Sequence, residues 1–289
     1  MRARTPRTER GAAIVLAMLL AALAAAVAAT VFADQQRWSR TVEHRRDQVQ
    51  AQALVVAGVQ WGRQILYDDK QRSSIDHLRE PWAMALPAIP LDNGEVRGSI
   101  GDAQARLNVI ALGDTGARAS IERARIERLF AQRGGPVGAI DAIAGWIDRD
   151  ALAANAQVLR VAELAEVKGV TPSSLANVAP YLTALPAGTP VNVNTAPPEV
   201  LAAIVDTLGA EGLAKLLAAR AQKPFASVLE FRAQLPQSAL LAGDETLSVQ
   251  SDHFYVTIEA RQGATVARAR ALLRRRGGEW PEIVWQVVE

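Results

Sequence analysis

The chain has no cysteine, three histidines and only 5% aromatic residues in 289 positions. Without cysteine there is no disulfide, no thiolate nucleophile and no zinc–thiolate site. That absence leaves the compartment open, since an exported protein can do without cysteine. His44, His77 and His253 lie far apart in sequence and lack metal-ligand spacing. No HExxH, P-loop or GxSxG pattern occurs. An excess of one charge is missing too: 32 basic residues face 30 acidic ones, a net of +2. Nothing global therefore draws the chain to nucleic acid. Asp114-Thr115-Gly116 matches the triplet of aspartic proteases, but those need two carboxylates sharing a proton. The chain has no second copy, and a turn leading into a helix is expected there. The chain is not expected to be an enzyme.

Apolar residues make up 49% of the chain, enough for one large domain or two modest ones. Lysine is scarce beside arginine, which we read as coding bias. The arginines are bunched. Arg2, Arg4, Arg7 and Arg10 precede the first apolar run. Arg268, Arg270, Arg274, Arg275 and Arg276 form a late basic strip, expected to be the solvated face of an edge strand or a helix.

Gly11–Ala33 is 23 residues without a charge, and about 20 apolar residues in a helix cross a bilayer core. Four arginines before it and Asp34 after it place the N-terminus in the cytoplasm. Three readings fit. Val31-Phe32-Ala33 has the small-x-small form of a signal-peptide site. A plain signal anchor is the second. The third rests on Glu9-Arg10-Gly11 directly before Ala12: a basic leader ending in Gly looks like the prepilin peptidase site of type IV pilin-like proteins, with cleavage between Gly11 and Ala12. Residues 34–67 lack proline and continue the helix. Val42, Val49, Ala53 and Val56 recur at the spacing of one helical face, with charged residues elsewhere. Residues 12–67 would form a helix of about 80 Å.

Residues 79–94 read as a loop, with three prolines and an Asn93-Gly94 turn. Val96, Gly98 and Ile100, then Ala105, Leu107 and Val109, alternate like a β-hairpin around Gly101-Asp102. Residues 113–243 read as short helices. They cover 121–132, 140–147, 161–167, 172–185, 198–208, 211–221 and 225–234. Thr171 and Thr195 stand where hydroxyl caps would precede Pro and Glu. Strands return with Phe254, Val256, Ile258 and Ala260, and again at 283–288. The pattern is an α+β domain carrying a helical insertion.

Five segments of the chain resemble the type II secretion minor pseudopilin GspK family. They are Val191-Asn-Val-Asn-Thr-Ala-Pro-Pro-Glu-Val-Leu-Ala-Ala-Ile204, Ala105-Arg-Leu-Asn-Val-Ile-Ala-Leu112, Asp141-Ala-Ile-Ala-Gly-Trp-Ile-Asp-Arg-Asp150, and the pair Val161–Val170 and Pro224–Phe231. The resemblance implies a type IV pilin-like fold with a long N-terminal α-helix, a small antiparallel sheet and a large inserted all-α domain. It divides the chain into a leader (1–11), a transmembrane helix (12–33), its amphipathic continuation (34–67), a β head (68–112 and 244–289) and an insert (113–243). It implies a single-pass inner-membrane protein with a periplasmic C-terminal domain, processed and methylated as prepilins are. The implied partners are prepilin peptidase and other minor pseudopilins, of the GspI, GspJ and GspH types, at the pseudopilus tip. Counting from Ala12, position five is Leu16, where most pilins carry Glu. A lone carboxylate in hydrocarbon is costly unless paired, and a tip subunit has no subunit ahead. The resemblance implies a calcium site as one option, since family members often have a longer, acidic and Gly-rich loop after the Trp-Ile-Asp segment that could hold the ion. Here Asp148 and Asp150 are the candidate ligands, and with Asn155 they fall short of the 6–8 oxygens calcium takes; no other cofactor is implied.

Residues 192–231 also resemble a tandem helix-hairpin-helix, with a degenerate hairpin at Val167–Pro172. The alternative reading is a membrane-anchored DNA-binding or uptake protein. Flanking strands argue against it, as does Glu211 in the hairpin turn; no nucleic acid is expected.

Overall fold

The computed structural model of the protein describes residues 8–135, 138–153 and 160–289; the side chains of residues 8–10, 86, 148–153 and 174 lie outside that description. Helix α1 runs unbroken from Thr8 to Lys70, 63 residues. No proline interrupts it, and its last five turns lie on a sheet.

That sheet is antiparallel and five-stranded, in the order β1-β2-β7-β8-β9. Its strands are β1 (Leu86–Leu91), β2 (Gly94–Asp102), β7 (His253–Gln262), β8 (Thr265–Arg274) and β9 (Glu282–Val288). Strand β1 overturns the expected loop at 79–94: Leu86–Leu91 pairs with β2 despite Pro87 and Pro90. Proline is tolerated there because β1 is an edge strand, where a missing N–H costs no ladder bond. The hairpin therefore turns at Asp92-Asn93. The expected second strand, Ala105–Val109, does not join this sheet. It forms 3-10 turns and a two-residue strand, β3 (Leu107–Asn108), which pairs in parallel with β4 (Leu182–Thr183). A second parallel pair joins β5 (Val191–Asn192) to β6 (Leu247–Ser248).

The alternation in β7 is as the sequence indicates: Phe254, Val256, Ile258 and Ala260 are all buried, facing α1. The face of α1 is not as expected. Val42, Val49 and Val56 are exposed, and so is Ala53. The buried face is Ala51, Val55, Gly58, Val59, Gly62 and Leu66. Small residues let the helix axis approach the sheet. A Cβ on Gly58 would fall 2.7 Å from Ile258 Cγ2, and one on Gly62 3.2 Å from Val256.

Between β2 and β7 lies a helical block with its own apolar core. Its helices are α2 (Ala117–Arg133), α3 (Ala139–Ala153), α4 (Pro172–Ala176), α5 (Pro198–Ile204), α6 (Ala210–Gln222) and α7 (Val228–Ala233). Asp114-Thr115-Gly116 is the turn into α2, with Gly116 at its N-cap. Segment 161–166 is 3-10 rather than α. Helix α4 stops well short of 185 because Pro180 lies ahead of it; a 3-10 turn follows. The sheet is left at Asp102 and re-entered at His253, so the interruption is longer at both ends than residues 113–243. The late basic strip is corrected as well. Strand β8 is interior, Arg268 and Arg274 pair with Glu259 and Glu282, and Arg275 is fully buried.

Candidate functional site

Two regions stand out, the free length of α1 and the polar joint between sheet and helical block. From Gly11 to Arg46 every residue of α1 is exposed, including Gly11, Ala12 and Leu16. Its apolar window has a mean hydropathy of 2.7 and touches nothing else in the chain. This is one helix long and apolar enough to cross a membrane. Past the uncharged run, Trp38, Val42, Val49 and Val56 remain exposed on one side, turned away from the sheet.

The joint is built from buried polar side chains. Asp102 ends β2, and its Oδ2 accepts from Asn192 Nδ2 (3.1 Å), Thr195 Oγ1 (2.5 Å) and Ser251 Oγ (2.6 Å). Its Oδ1 accepts from the Gln104 N–H at 2.7 Å. One carboxylate thus ties the exit from the sheet to the Asn-rich segment and to the return into β7. Burial pushes its pKa up to about 6, against those hydrogen bonds. Thr195 is therefore no helix cap; its hydroxyl is spent on Asp102, and α5 begins at Pro198 without a side-chain cap.

Arg275 makes the second tie. Its guanidinium donates to Asp69 Oδ2 at 2.7 Å, to Asp76 Oδ1, and to the Ser251 carbonyl at 3.0 Å. It also lies 4.6 Å over the Phe254 ring. All three charged residues are buried. Glu80 is buried nearby, and its Oε2 accepts from Trp82 Nε1 (2.9 Å) and the His77 N–H (2.8 Å). Burial, reinforced by the negative charge of Glu80, pushes Asp69 up to about 6. Asp69, Asp76 and Glu80 are the one group of three clustered acids among the described residues, their oxygens within 4.8 Å of one another. The Arg275 guanidinium already bridges two of them.

Two asparagines act as backbone substitutes. Asn194 donates to the Phe225 carbonyl and accepts from the Phe225 N–H, both at 2.9 Å. Asn108 does the same to Leu185, both at 3.0 Å. A buried primary amide carries donor and acceptor side by side, so it satisfies a strand-like edge that has no partner strand. The alternation in Val191-Asn-Val-Asn is thus apolar core on one side and bracket on the other. Asp76, Asp102 and Arg275 gave no such signal, because nothing local marks a charge for burial.

Of the remaining sequence-derived residues, Asp148 lies in α3, as does Asp150; their side chains lie outside the described ones. His44 is exposed on α1, whereas His253 is buried, with its Nδ1 3.4 Å from Gln104 Oε1. The hairpin cations are engaged within the chain. Arg220 donates to the Val193 and Ala196 carbonyls at 3.0 and 2.6 Å. Lys215 pairs with Glu211 at 2.7 Å and Lys223 with Glu230 at 3.0 Å.

A long N-terminal helix laid on a small antiparallel sheet, with a helical block inserted between sheet strands, defines an interrupted pilin-like protein. Two family models described as "Type II secretion system (T2SS), protein K" match residues 105–187 and 191–250. The chain belongs to the type II secretion system protein K family. It is 27% identical over 231 residues to the type II secretion system protein K of Pseudomonas aeruginosa, covering 69% of each chain. It is 28% identical over 175 residues to that of Aeromonas hydrophila, covering 49% of this chain and about half (53%) of that one. A chain in the crystal structure of the GspK-GspI-GspJ complex from enterotoxigenic Escherichia coli shares the fold. The TM-score is 0.68 at 21% identity, covering 86% of this chain and 99% of that one.

Proposed function

We propose that this protein is a minor pseudopilin of a type II secretion system, placed at the tip of the pseudopilus. The observation that carries the reading is the unpacked length of α1. About 50 Å of helix, as far as residue 43, projects from the sheet with no contact to the rest of the described chain, its first half apolar on all sides and its second half exposing Trp38 and Val42; Val49 continues that exposed side where the helix meets the sheet. Such a helix needs lipid around the first half and neighbouring helices along the second. A crystallised relative of the same fold comes from a complex of GspK with GspI and GspJ. Chains of the GspI and GspJ types are accordingly the partners we assign, and the family resemblance adds a chain of the GspH type.

In this reading Gly11-Ala12 is the prepilin peptidase site, and processing leaves the helix intact with Leu16 at position five of the mature chain. An apolar residue there suits a subunit with none ahead of it. The N-terminus is cytoplasmic and the sheet and helical block are periplasmic, in keeping with the arginines before Gly11. The role is mechanical and non-catalytic: the tip assembly initiates the pseudopilus and helps drive folded proteins across the outer membrane. Calcium at Asp148 and Asp150 has no place in it, because those oxygens are too few.

Intact mass after co-expression with a prepilin peptidase tests the processing. Loss of residues 1–11 is expected. Loss of residues 1–33 would mean an ordinary secretory signal and would sink the pilin-like role.

A further inference from the structure

On the sheet face opposite α1, the helical block overhangs the strands and leaves a cavity of about 310 Å³. That is the lower end of the range for ligand sites, about 300–1,000 Å³. Its floor includes Tyr255 and Trp285, and Leu182 forms part of the apolar wall. Three guanidiniums line it, those of Arg106, Arg160 and Arg270, and Glu289 is the one acidic residue among the lining. Arg160 is paired with Glu163 at 2.8 Å. Arg106 lies 5.2 Å over the Tyr255 ring, a contact that leaves its N–H groups free. Neither Arg106 nor Arg270 has an ion pair among the described residues. Arg270 sits directly across from Thr257, which is two residues along the same face from Tyr255. Beside the cavity, β9 ends the sheet, so one edge of its backbone has no partner strand among the described residues.

Two unpaired guanidiniums on an aromatic floor select a carboxylate next to an apolar side chain. A free strand edge alongside selects an extended main chain. We propose that this cleft binds a short acidic peptide segment, extended along β9, with its carboxylates on Arg106 and Arg270 and an apolar side chain against Leu182 and Trp285. The cleft faces away from α1, so its occupant does not compete with helices packed on α1.

Fluorescence anisotropy of the full chain in detergent, with a fluorescein-labelled Asp-Leu-Trp-Asp peptide at low salt, tests this. Saturable binding is expected, at least tenfold tighter than to the Asn-Leu-Trp-Asn counterpart and weakened by added salt. R106E/R270E should weaken it at least tenfold. If that double variant melts early, the exposed-site change R270Q should still weaken binding about threefold. Equal binding of the charged and neutral peptides would overturn the proposal. So would unchanged binding by the variants, or displacement of the peptide by a thymidine oligonucleotide.

Discussion

Gly58 of α1 faces Ile258 of β7 so closely that a Cβ on the glycine would fall 2.7 Å from Ile258 Cγ2. Glycine normally costs a helix about 1 kcal/mol relative to alanine; here that cost lets α1 lie against β7 and β8. Gly58→Leu should destabilise the packed head by ~1–3 kcal/mol through overpacking. Ile258→Ala in the same chain should restore part of the loss, since it vacates the volume the leucine needs. Thermal melts of the two single variants and the double variant check this. Strictly additive losses would mean that the two sites do not share that space.

Arg275 holds two buried aspartates on different segments, Asp69 at the end of α1 and Asp76 in the loop beyond. Arg275→Met would leave both carboxylates without a cation. Breaking a buried pair from one side costs ~3–5 kcal/mol, so the melting temperature should drop steeply. Arg275→Lys should rescue little, because a single ammonium cannot bridge two carboxylates as the planar fork does. Replacing Arg275, Asp69 and Asp76 together by apolar residues should cost less than Arg275→Met alone. A triple variant that is the worse of the two would show that the charges themselves, not their pairing, are required.

The sequence made the long helix legible because 23 uncharged residues and then an unbroken run without proline admit little else. Its packing face was not legible. Valine outscores glycine and alanine in any apolar pattern, yet the close approach to Ile258 demanded the small side of the helix. Strand β1 was hidden by Pro87 and Pro90, which only its edge position allows. The phrase around Asn192 and Asn194 was visible as a signature. Its role was not, because bracketing Phe225 requires a residue 31 positions away. Arg275 looked like one member of a solvated strip; it is inside because, just past the end of β8, it meets Asp69 at the end of α1, Asp76 and the Ser251 carbonyl, none of them near it in sequence.

Asp69 and Asp102 give the joint a pH dependence with a definite sign. Burial raises both to about 6, above the ordinary aspartate value of 3.8. Between those values the folded chain holds more protons than the unfolded chain, so their contribution to stability falls as pH rises from about 4 to about 6. It levels off above about 6. Glu259 acts the other way and lower, because Arg268 and Arg97 hold its carboxyl below the usual glutamate value. Melting temperature against pH should therefore decline across that window. Asp102→Asn should flatten the decline while lowering stability overall, since the amide nitrogen cannot accept from the Gln104 N–H or take the three donors gathered on Oδ2. An unchanged slope in that variant would remove Asp102 as a source of it.

Val49 and Val56 separate stability from assembly. Val56 is 40% exposed and Val49 67%, whereas Val55, next in sequence to Val56, is fully buried against the sheet. Exposed substitutions that touch nothing usually change stability by less than about 0.5 kcal/mol. Val49→Glu with Val56→Glu should therefore leave the melt of the isolated chain nearly unchanged. The same pair places two carboxylates on the stripe assigned to neighbouring helices, where an unpaired buried charge costs several kcal/mol. Co-purification with co-expressed GspI-type and GspJ-type chains should fall sharply. Val55→Ala should do the reverse, lowering the melt by ~1–2 kcal/mol through the lost methyl groups and sparing co-purification. If the glutamates spared co-purification, the exposed stripe would not be the assembly face, and the contacts would have to lie on the sheet or the helical block.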